Sequence, residues 1–321
     1  MRQITLETIS DATTRIYTVA ARTPVVRLDP VGHGLPEIFL KLELFQPIGS
    51  FKIRGAMNAV SRLSPAELAD GVWTVSAGNA AQGVALAARE AGAKASVLVM
   101  DTAPATKIAA IERLGATIVR ATYDECWRAV EDHRSDRMPG RLVHPFDDDD
   151  FISGNGTAAL EILEDVPDID AVVAPIGGGG LLAGLGCAFR ALKPDTRVYA
   201  AEPETAAPLA ASFRAGQASR FDGWTASFVD GAGGRSVLPT MWPLLKTWVD
   251  ESIVVSLDDA ARAMQLAAER CHVIAEGAAA CAIAAARSPK LAQAGHRRIV
   301  AVVSGGNIDL SRFASLVGAC T

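Results

Sequence analysis

A lysine in an apolar setting is the first residue of this chain whose surroundings suggest chemistry. Lys52 lies between Phe51 and Ile53 and is followed by a second cation, Arg54. An amine held against apolar neighbours and near another cation loses part of its preference for the ammonium form, and the neutral amine is the form that attacks a carbonyl. The sequence therefore permits a Schiff base at Lys52, although lysine is more often a solvated surface residue.

A run of glycines suggests an anion site. The apolar residues 171–176 precede it, and a helical pattern begins at Leu181 after it. The four residues between them are Gly177, Gly178, Gly179 and Gly180. Glycines let the backbone approach an anion closely, and the first N–H groups of a helix point at it, so the pattern predicts a phosphate site. The spacing matches neither ATP-binding nor dinucleotide-binding loops, which argues against ATP and NAD.

Two more turns join an apolar run to a helical pattern. One contains Ser76, Ala77, Gly78 and Asn79, with a predicted helix from Ala80 to Ala91. Its hydroxyl, amide and helix-start N–H groups suit a carboxylate, although an ordinary N-cap fits equally well. The other is Ser304-Gly305-Gly306-Asn307, before a helix that starts near Asp309. All three turns lie where α/β sheets place ligands, at the carboxyl ends of strands.

The elements that position these turns follow from alternating apolar runs and Ala-rich helical patterns. This alternation predicts an α/β fold around largely parallel sheet. Strands are predicted at about 38–42, 72–75, 95–100, 117–121, 171–176, 197–202, 252–256 and 298–304. Helices are predicted from Thr102 to Leu114 and from Leu257 to His272, and the Gly-, Ser- and Trp-rich segment 214–243 is predicted to be irregular. The acidic run 147–150 is predicted to be a solvated connection or a helix start, not a metal site.

Composition limits the classes of partner. The chain has 321 residues, of which 50% are hydrophobic, and a net charge of −5. Its Lys and Arg residues are scattered, so no basic surface for nucleic acid or an anionic membrane is predicted. Small molecules or further copies of the chain are the expected partners. The five cysteines form no Cys-x-x-Cys pair and are predicted to be reduced thiols. With no apolar signal segment and no membrane-spanning run, a cytoplasmic location is expected.

Four motifs together resemble one family. Ser-Phe-Lys-Ile-Arg-Gly, Ser-Ala-Gly-Asn, Gly-Gly-Gly-Gly-Leu and Ser-Gly-Gly-Asn, in this order, are similar to those of the threonine/serine dehydratase and serine racemase family. These are pyridoxal phosphate (PLP) enzymes of fold type II, and the resemblance runs from Thr23 to Asp309. It implies a tryptophan synthase β-like fold with two parallel-sheet-based domains and the cofactor between them. The large domain would comprise 1–70 and 148–321, and 71–147 the small inserted domain.

The resemblance also implies a role for each motif in holding PLP. Lys52 would carry the cofactor as a Schiff base, Phe51 would pack on its ring, and Ser304 would bond the pyridine nitrogen. Asn79 would contact the ring hydroxyl oxygen, and Gly231 would lie near the other face of the ring. The phosphate would be held by Gly177, Gly178, Gly179, Gly180 and Leu181. Glu276 matches an acid near the cofactor, although an acid at a helix N-terminus is the competing interpretation.

By the same resemblance, the substrate carboxylate would lie in the turn that begins at Ser76. Ser76 is predicted as a catalytic and substrate-binding residue, and the other predicted substrate contacts are Ala77, Gly78, Asn79 and Ala80. Two of these depart from relatives. Racemases of the family have a second serine where this chain has Ala77, so racemisation would lack its second acid/base group. Dehydratases commonly have histidine where this chain has Ala80, which suggests a substrate bulkier than serine.

The family's divalent-cation site is also altered. Glu202 and Ala206 match two of its ligand positions, but Pro208 replaces the aspartate, and no metal is therefore expected. His144 and His272 are predicted to be ordinary core or interface imidazoles. The resemblance further suggests a homodimer, and no C-terminal regulatory domain is expected.

The predicted activity is a PLP-dependent dehydratase, or ammonia-lyase, acting on a 3-hydroxy amino acid. Threonine, serine or a bulkier β-substituted serine such as phenylserine would yield a 2-oxo acid and ammonia by β-elimination. Lys52 would take the α-proton, and the cofactor phosphate would assist the departing hydroxyl. One alternative is a racemase or β-replacement synthase on the same scaffold. Another, of a different class, is a non-catalytic protein that binds a phosphate ligand.

Overall fold

Strands and helices alternate along most of the chain in the computed structural model, which describes residues 2–28 and 36–320. The strands within these residues are β1 (Val25–Leu28), β2 (Glu37–Lys41), β3 (Val72–Val75), β4 (Ala95–Met100), β5 (Thr117–Ala121), β6 (Arg141–Leu142), β7 (Ala171–Pro175), β8 (Arg197–Pro203), β9 (Glu251–Val255) and β10 (Arg298–Val302). The helices are α1 (Leu6–Ile16), α2 (Lys52–Ser61), α3 (Pro65–Asp70), α4 (Asn79–Glu90), α5 (Ala105–Glu112), α6 (Tyr123–Glu131), α7 (Asp149–Asp165), α8 (Gly180–Leu192), α9 (Pro208–Ala215), α10 (Trp242–Trp248), α11 (Leu257–Cys271), α12 (Gly277–Ala286), α13 (Pro289–Gln293) and α14 (Leu310–Gly318).

The strands form two sheets. One has the order β1-β2-β10-β7-β8-β9, and the other has the order β5-β4-β3-β6. Every pairing is parallel except that of β1 with β2. The predicted architecture of helices around largely parallel sheet is confirmed. All strands of the smaller sheet fall within 71–147, the segment predicted as the inserted domain, although the domain boundaries themselves stay a prediction.

The eight predicted strands are present, each within two residues of its expected ends. Two short strands were missed. β1 has four residues and lies antiparallel at the edge of the larger sheet, and β6 has only two. Runs this short carry too few residues to show a periodic pattern. The predicted helix from Thr102 is shorter than expected, because Pro104 takes the N-cap position and the helix begins at Ala105.

The segment 214–243 was predicted to be irregular, and this is largely confirmed. Between the end of α9 and the start of α10 it contains turns and a single bridge, which joins Arg220 to Ser236. The acidic run is only partly as predicted. Asp148 accepts a hydrogen bond from the Phe151 N–H as the N-cap of α7. Asp147, however, is buried, and its carboxylate accepts hydrogen bonds from Arg2 and Thr240.

A buried ionic cluster fixes the start of α2, the helix on which Lys52 lies. Arg54 is fully buried, with Nε 2.8 Å from Glu43 Oε2 and Nη1 2.7 Å from Glu161 Oε1. Lys41 donates to the same Glu161 carboxylate. Two cations and two carboxylates therefore neutralise one another away from water. Removal of any one of them would leave a buried charge without a partner and would destabilise the fold. No helix within 2–28 and 36–320 is long and apolar enough to cross a membrane.

Candidate active site

The three predicted turns meet at one cavity of about 340 Å³. Parallel strands β3, β7 and β10 end at it, as expected for ligand sites of α/β sheets. Every predicted site residue lines it: Phe51, Lys52, Ser76, Ala77, Gly78, Asn79, Ala80, Gly177, Gly178, Gly179, Gly180, Leu181, Gly231, Glu276 and Ser304. The structure thus brings the whole predicted set together, while the individual roles stay predictions.

Lys52 begins α2 and extends its amine into this cavity. Its Nζ donates a hydrogen bond of 2.6 Å to the carbonyl oxygen of Pro145. The same atom lies 5.2 Å from the ring centre of Phe51 and 5.3 Å from that of Phe151. Loss of water in this apolar environment lowers the pKa of Lys52 to about 8, although the negative charge of Glu276 opposes the shift.

The predicted cause of this shift was only half right. Apolar neighbours do surround the Lys52 amine, but the charge of Arg54 is cancelled by Glu43 and Glu161. Desolvation, not repulsion by a neighbouring cation, is the cause that lowers the pKa. A pKa of about 8 leaves a useful fraction of neutral amine near pH 7, as both a nucleophile and a general base require.

The glycine turn is shaped to hold an anion. Gly179 has φ +94°, a left-handed conformation that side chains rarely adopt, and it is the N-cap of α8. The backbone N–H groups of residues 177–180 donate no hydrogen bond to any part of the chain that the structure describes. A phosphate would satisfy these groups and would also meet the positive end of the helix dipole. This pocket edge therefore fits the PLP phosphate.

Close packing behind the turn requires glycine. A Cβ atom at Gly178 would lie 2.0 Å from the Phe146 ring, and one at Gly180 would lie 2.7 Å from the Phe146 carbonyl oxygen. One at Gly177 would lie 2.7 Å from the carbonyl oxygen of Gly231. The turn is therefore held between two neighbouring segments, so its N–H groups are positioned before any ligand arrives.

Ser304 supplies a hydroxyl at the end of β10. Ser304 is 2% exposed and lines the cavity, and its backbone carbonyl is fixed by a 3.0 Å hydrogen bond from the Phe51 N–H. A hydroxyl at the cavity wall can bond a ligand atom, and the pyridine nitrogen of PLP is an atom of the required kind. A neutral hydroxyl does not hold that nitrogen protonated as a carboxylate would.

Asn79 and Glu276 form one hydrogen-bonded chain. Asn79 Nδ2 donates to Glu276 Oε1 at 2.9 Å, and Asn79 Oδ1 accepts from Asn307 Nδ2 at 2.7 Å. Burial raises the pKa of Glu276 to about 7, and the charge of Asp230 adds to the rise. The Asn79 amide is thus fixed in orientation at the cavity wall. Its predicted contact with the ring hydroxyl stays a prediction.

The turn predicted to hold the substrate precedes α4. Ser76 Oγ accepts a hydrogen bond from the Gly78 N–H at 3.1 Å, and Gly78 is the N-cap of the helix. Ala77 and Ala80 contribute only methyl groups to the cavity. A carboxylate at this helix start would meet unpaired N–H groups, and the two small side chains leave space beside it.

Several lining residues were not predicted. Pro145 and Phe146 follow the two-residue strand β6. A strand this short leaves no recognisable sequence pattern, so the residues that follow it were not identified. Asn307 was part of a quoted motif but received no role. Lys107 and Asp230 form an ion pair at the cavity, between α5 and the irregular segment. No local signal could have found a pair that is separated by 123 positions in the chain.

The remaining candidates have structural explanations. Glu202 accepts hydrogen bonds from the Leu209 and Ala210 N–H groups at 2.7 and 2.8 Å, so it caps α9. His272 ends α11 in a left-handed conformation. Burial and the nearby His133 ring lower the pKa of His144 to about 4. The described residues contain no group of three or more His, Cys, Asp or Glu side chains that could hold a metal, and no disulfide bond joins two of their cysteines.

Comparisons with known proteins agree with this site. The family described as "Pyridoxal-phosphate dependent enzyme" matches residues 16–305. The chain is 38% identical to an L-threonine ammonia-lyase of Thermotoga maritima over 98% of this chain and 78% of that protein. It is 35% identical to an L-threo-3-hydroxyaspartate ammonia-lyase of Saccharomyces cerevisiae over 96% of this chain and 95% of that protein. The structure of maize serine racemase superimposes with a TM-score of 0.89 at 33% identity, covering 98% of this chain and 97% of that one.

Fold and site together define a fold type II PLP enzyme, which confirms the predicted fold class. The chain belongs to the family of pyridoxal-phosphate dependent enzymes. The predicted cofactor, PLP, and the predicted class of enzyme, a PLP-dependent ammonia-lyase, are likewise confirmed.

Proposed function

We propose that this ammonia-lyase eliminates water from a 3-hydroxy amino acid with a β-substituent larger than methyl. The released enamine tautomerises to an imine, and a water molecule hydrolyses this imine to a 2-oxo acid and ammonia. The observation that carries the proposal is the position of the Lys52 amine. It lines one cavity together with the glycine turn and the turn that begins at Ser76, and burial lowers its pKa to about 8. Its neutral form can accept the α-proton of an amino acid whose carboxylate is held at the start of α4.

Bound PLP supplies an electron sink for the bond that breaks at the α-carbon. The residues of this chain do the rest. Ser76 and the N–H groups at the start of α4 orient the carboxylate, and the N–H groups of the glycine turn hold the phosphate. Ser304 offers the pyridine nitrogen a neutral partner, which makes a weaker sink and favours loss of a β-substituent over transamination.

Racemisation is disfavoured by the absence of a second proton donor at residue 77. Ala77 lines the cavity next to Ser76 but has only a methyl group. Lys107 and Asp230, which also line it, are paired with each other. Lys52 is therefore the residue available to move the α-proton, and a base on one side of the α-carbon supports elimination better than inversion.

Free space next to the site supports a bulky β-substituent. A second cavity of about 680 Å³ shares Val75, Met100 and Phe146 with the cavity that holds Lys52. A third, of about 170 Å³, shares Ser76 and Ala77 with it. Both have largely apolar walls. A substituent on the β-carbon can extend into this space, which the single methyl group of threonine would leave unfilled.

Activity on a panel of substrates tests the proposal. The PLP-loaded protein is assayed for 2-oxo acid with serine, threonine, 3-hydroxyaspartate and 3-phenylserine, alongside its Lys52→Ala variant. We expect oxo acid from wild type, the largest kcat/KM with a bulky substrate, and no activity in the variant. Absence of oxo acid from every substrate would refute the proposal. Chiral analysis of residual substrate, and a trial with sulfide, would show racemisation or β-replacement instead.

A colour assay separates the enzyme from a non-catalytic binder. The loaded protein should be yellow, and borohydride should attach the cofactor to a peptide containing Lys52. A protein that stays colourless with added PLP would favour the binder. We also propose that the enzyme is a cytoplasmic homodimer; the family resemblance supports the dimer, and sedimentation of the loaded protein tests it.

A further inference from the structure

An aromatic side chamber adjoins the catalytic cavity. We use this name for the cavity of about 680 Å³, whose walls include Tyr123, Trp127, Trp224, Arg235 and Leu238. Gly177 and Gly178 of the glycine turn line both this chamber and the cavity that contains Lys52, so the two cavities are neighbours. The chamber is thus on the path that a long β-substituent would take.

One cation lies among these aromatic walls. The guanidinium carbon of Arg235 is 3.9 Å from the ring centre of Trp224 and 4.4 Å from that of Tyr123. Trp224 is itself held by a 2.9 Å hydrogen bond from its Nε1 to the carbonyl oxygen of Gly233. The two rings therefore fix the plane of the guanidinium, and this leaves its N–H groups to reach a ligand.

Within the residues that the structure describes, Arg235 forms no ion pair and its side chain donates no hydrogen bond; its side-chain contacts there are the two aromatic rings. Its Nε is buried and without a partner. Asp230, the carboxylate that lines the same chamber, is paired with Lys107. A buried donor with no acceptor is costly, and the anionic group of a ligand can supply the acceptor.

We propose that Arg235 determines substrate specificity by binding an anionic group, a carboxylate, at the far end of the β-substituent. The inference rests on the proposed elimination reaction and names its substrate class. A carboxylate matches the planar donor pattern of guanidinium, and aromatic walls strengthen the pairing by excluding water. The apolar walls of the chamber would contact the carbon atoms between the β-carbon and the carboxylate.

Two matched substrate pairs test this role. Threonine is compared with 3-hydroxyaspartate, and 3-phenylserine with 3-(4-carboxyphenyl)serine, since each pair differs by the presence of a carboxylate. We expect kcat/KM of at least one acidic member to exceed that of its neutral partner by about 10-fold or more. In Arg235→Gln this preference should fall roughly 10- to 100-fold, mainly through KM, as expected for a lost charge-assisted hydrogen bond. Activity on neutral substrates should change less than about 3-fold.

Control variants separate recognition from structural damage. Arg235→Lys keeps the charge and should retain part of the preference. Lys246→Gln also removes a cation from an aromatic face, that of Trp242 at 6.0 Å, but lies outside both cavities and should leave the preference unchanged. Equal loss on acidic and neutral substrates in Arg235→Gln, or no preference for acidic substrates in the wild type, would overturn the proposal.

A binding measurement makes this result independent of turnover. Calorimetry with the Lys52→Ala protein, which has lost the base, compares the affinity for 3-(4-carboxyphenyl)serine with and without Arg235→Gln. A roughly 10-fold or larger weakening supports the role of Arg235 even if no substrate yields oxo acid, whereas equal affinities refute it even if elimination is observed.

Discussion

Gly178→Ala should weaken PLP binding because the glycine turn has no room for a methyl group. The added Cβ would lie 2.0, 2.2 and 2.3 Å from three atoms of the Phe146 ring. That ring is itself packed against His144, with ring centres 4.6 Å apart. An ordinary contact needs about 3.4 Å, so either the ring or the turn must move by more than about 1 Å.

The size of the effect follows from what this movement disrupts. Overpacking of a filled site costs about 1–3 kcal/mol of stability. Displacement of the turn also moves the N–H groups of residues 177–180 away from the phosphate. Loss of one or two hydrogen bonds to a charged group would raise the Kd for PLP roughly 10- to 100-fold.

Absorbance titration of the apoprotein with PLP measures the Kd, and thermal unfolding of the same samples measures stability. Gly318→Ala is the control, because a Cβ there meets no atom within 4 Å. In Gly178→Ala/Phe146→Ala the obstructing ring is absent, and much of the affinity should return. Wild-type affinity in Gly178→Ala, or no recovery in the double variant, would refute the argument that the Phe146 ring obstructs a methyl group at position 178.

Three further predictions concern the lysine, its support and the choice of reaction. The rate at which the apoprotein binds PLP covalently, measured by stopped-flow absorbance, should increase as pH rises through about 8. Burial lowers the pKa of Lys52 to about 8, and only the neutral amine reacts. Glu276→Gln should move this midpoint to lower pH, since the carboxylate raises the lysine pKa, and a midpoint near 10 in the wild type would contradict the reasoning. Glu161→Gln should reduce the free energy of unfolding in urea by about 3–5 kcal/mol, because two buried cations lose a partner, whereas the exposed Glu164→Gln should cost about 1 kcal/mol or less. Ala77→Ser should increase racemisation relative to elimination, measured by chiral chromatography of residual substrate, and an unchanged ratio would show that position 77 does not decide the reaction.

The elements around the site could be predicted because their signals are local. β7, the four glycines and α8 follow one another within about twenty residues, so hydrophobic pattern and backbone chemistry identify them together. The same is true of the turns at Ser76 and Ser304. Because β7 and β10 are neighbouring parallel strands of one sheet, the meeting of the glycine turn with the Ser304 turn was predictable. The Ser76 turn follows β3 of the other sheet, so only the packing of the two sheets brings it to the same cavity.

Other features depended on contacts between distant segments. Arg54 stands two residues from Lys52, and proximity in the chain suggested that its charge acts on the amine. Folding instead buries Arg54 between Glu43 and Glu161, which cancels that charge. Sequence proximity thus misled, because Coulomb interactions depend on distance in space and on what neutralises each charge.

The sequence by itself determined the fold class, and it singled out the lysine predicted to bind the cofactor and the three turns predicted to bind ligands, because each rests on a short run of residues with a distinct backbone or side-chain property. Only the tertiary structure decided what surrounds them. It brought Pro145 to the Lys52 amine and Phe146 behind the glycines, and placed Arg235 against Tyr123 and Trp224 in the neighbouring chamber. These partners come from irregular or very short elements, where no periodic pattern records which neighbours the folded chain will bring into contact.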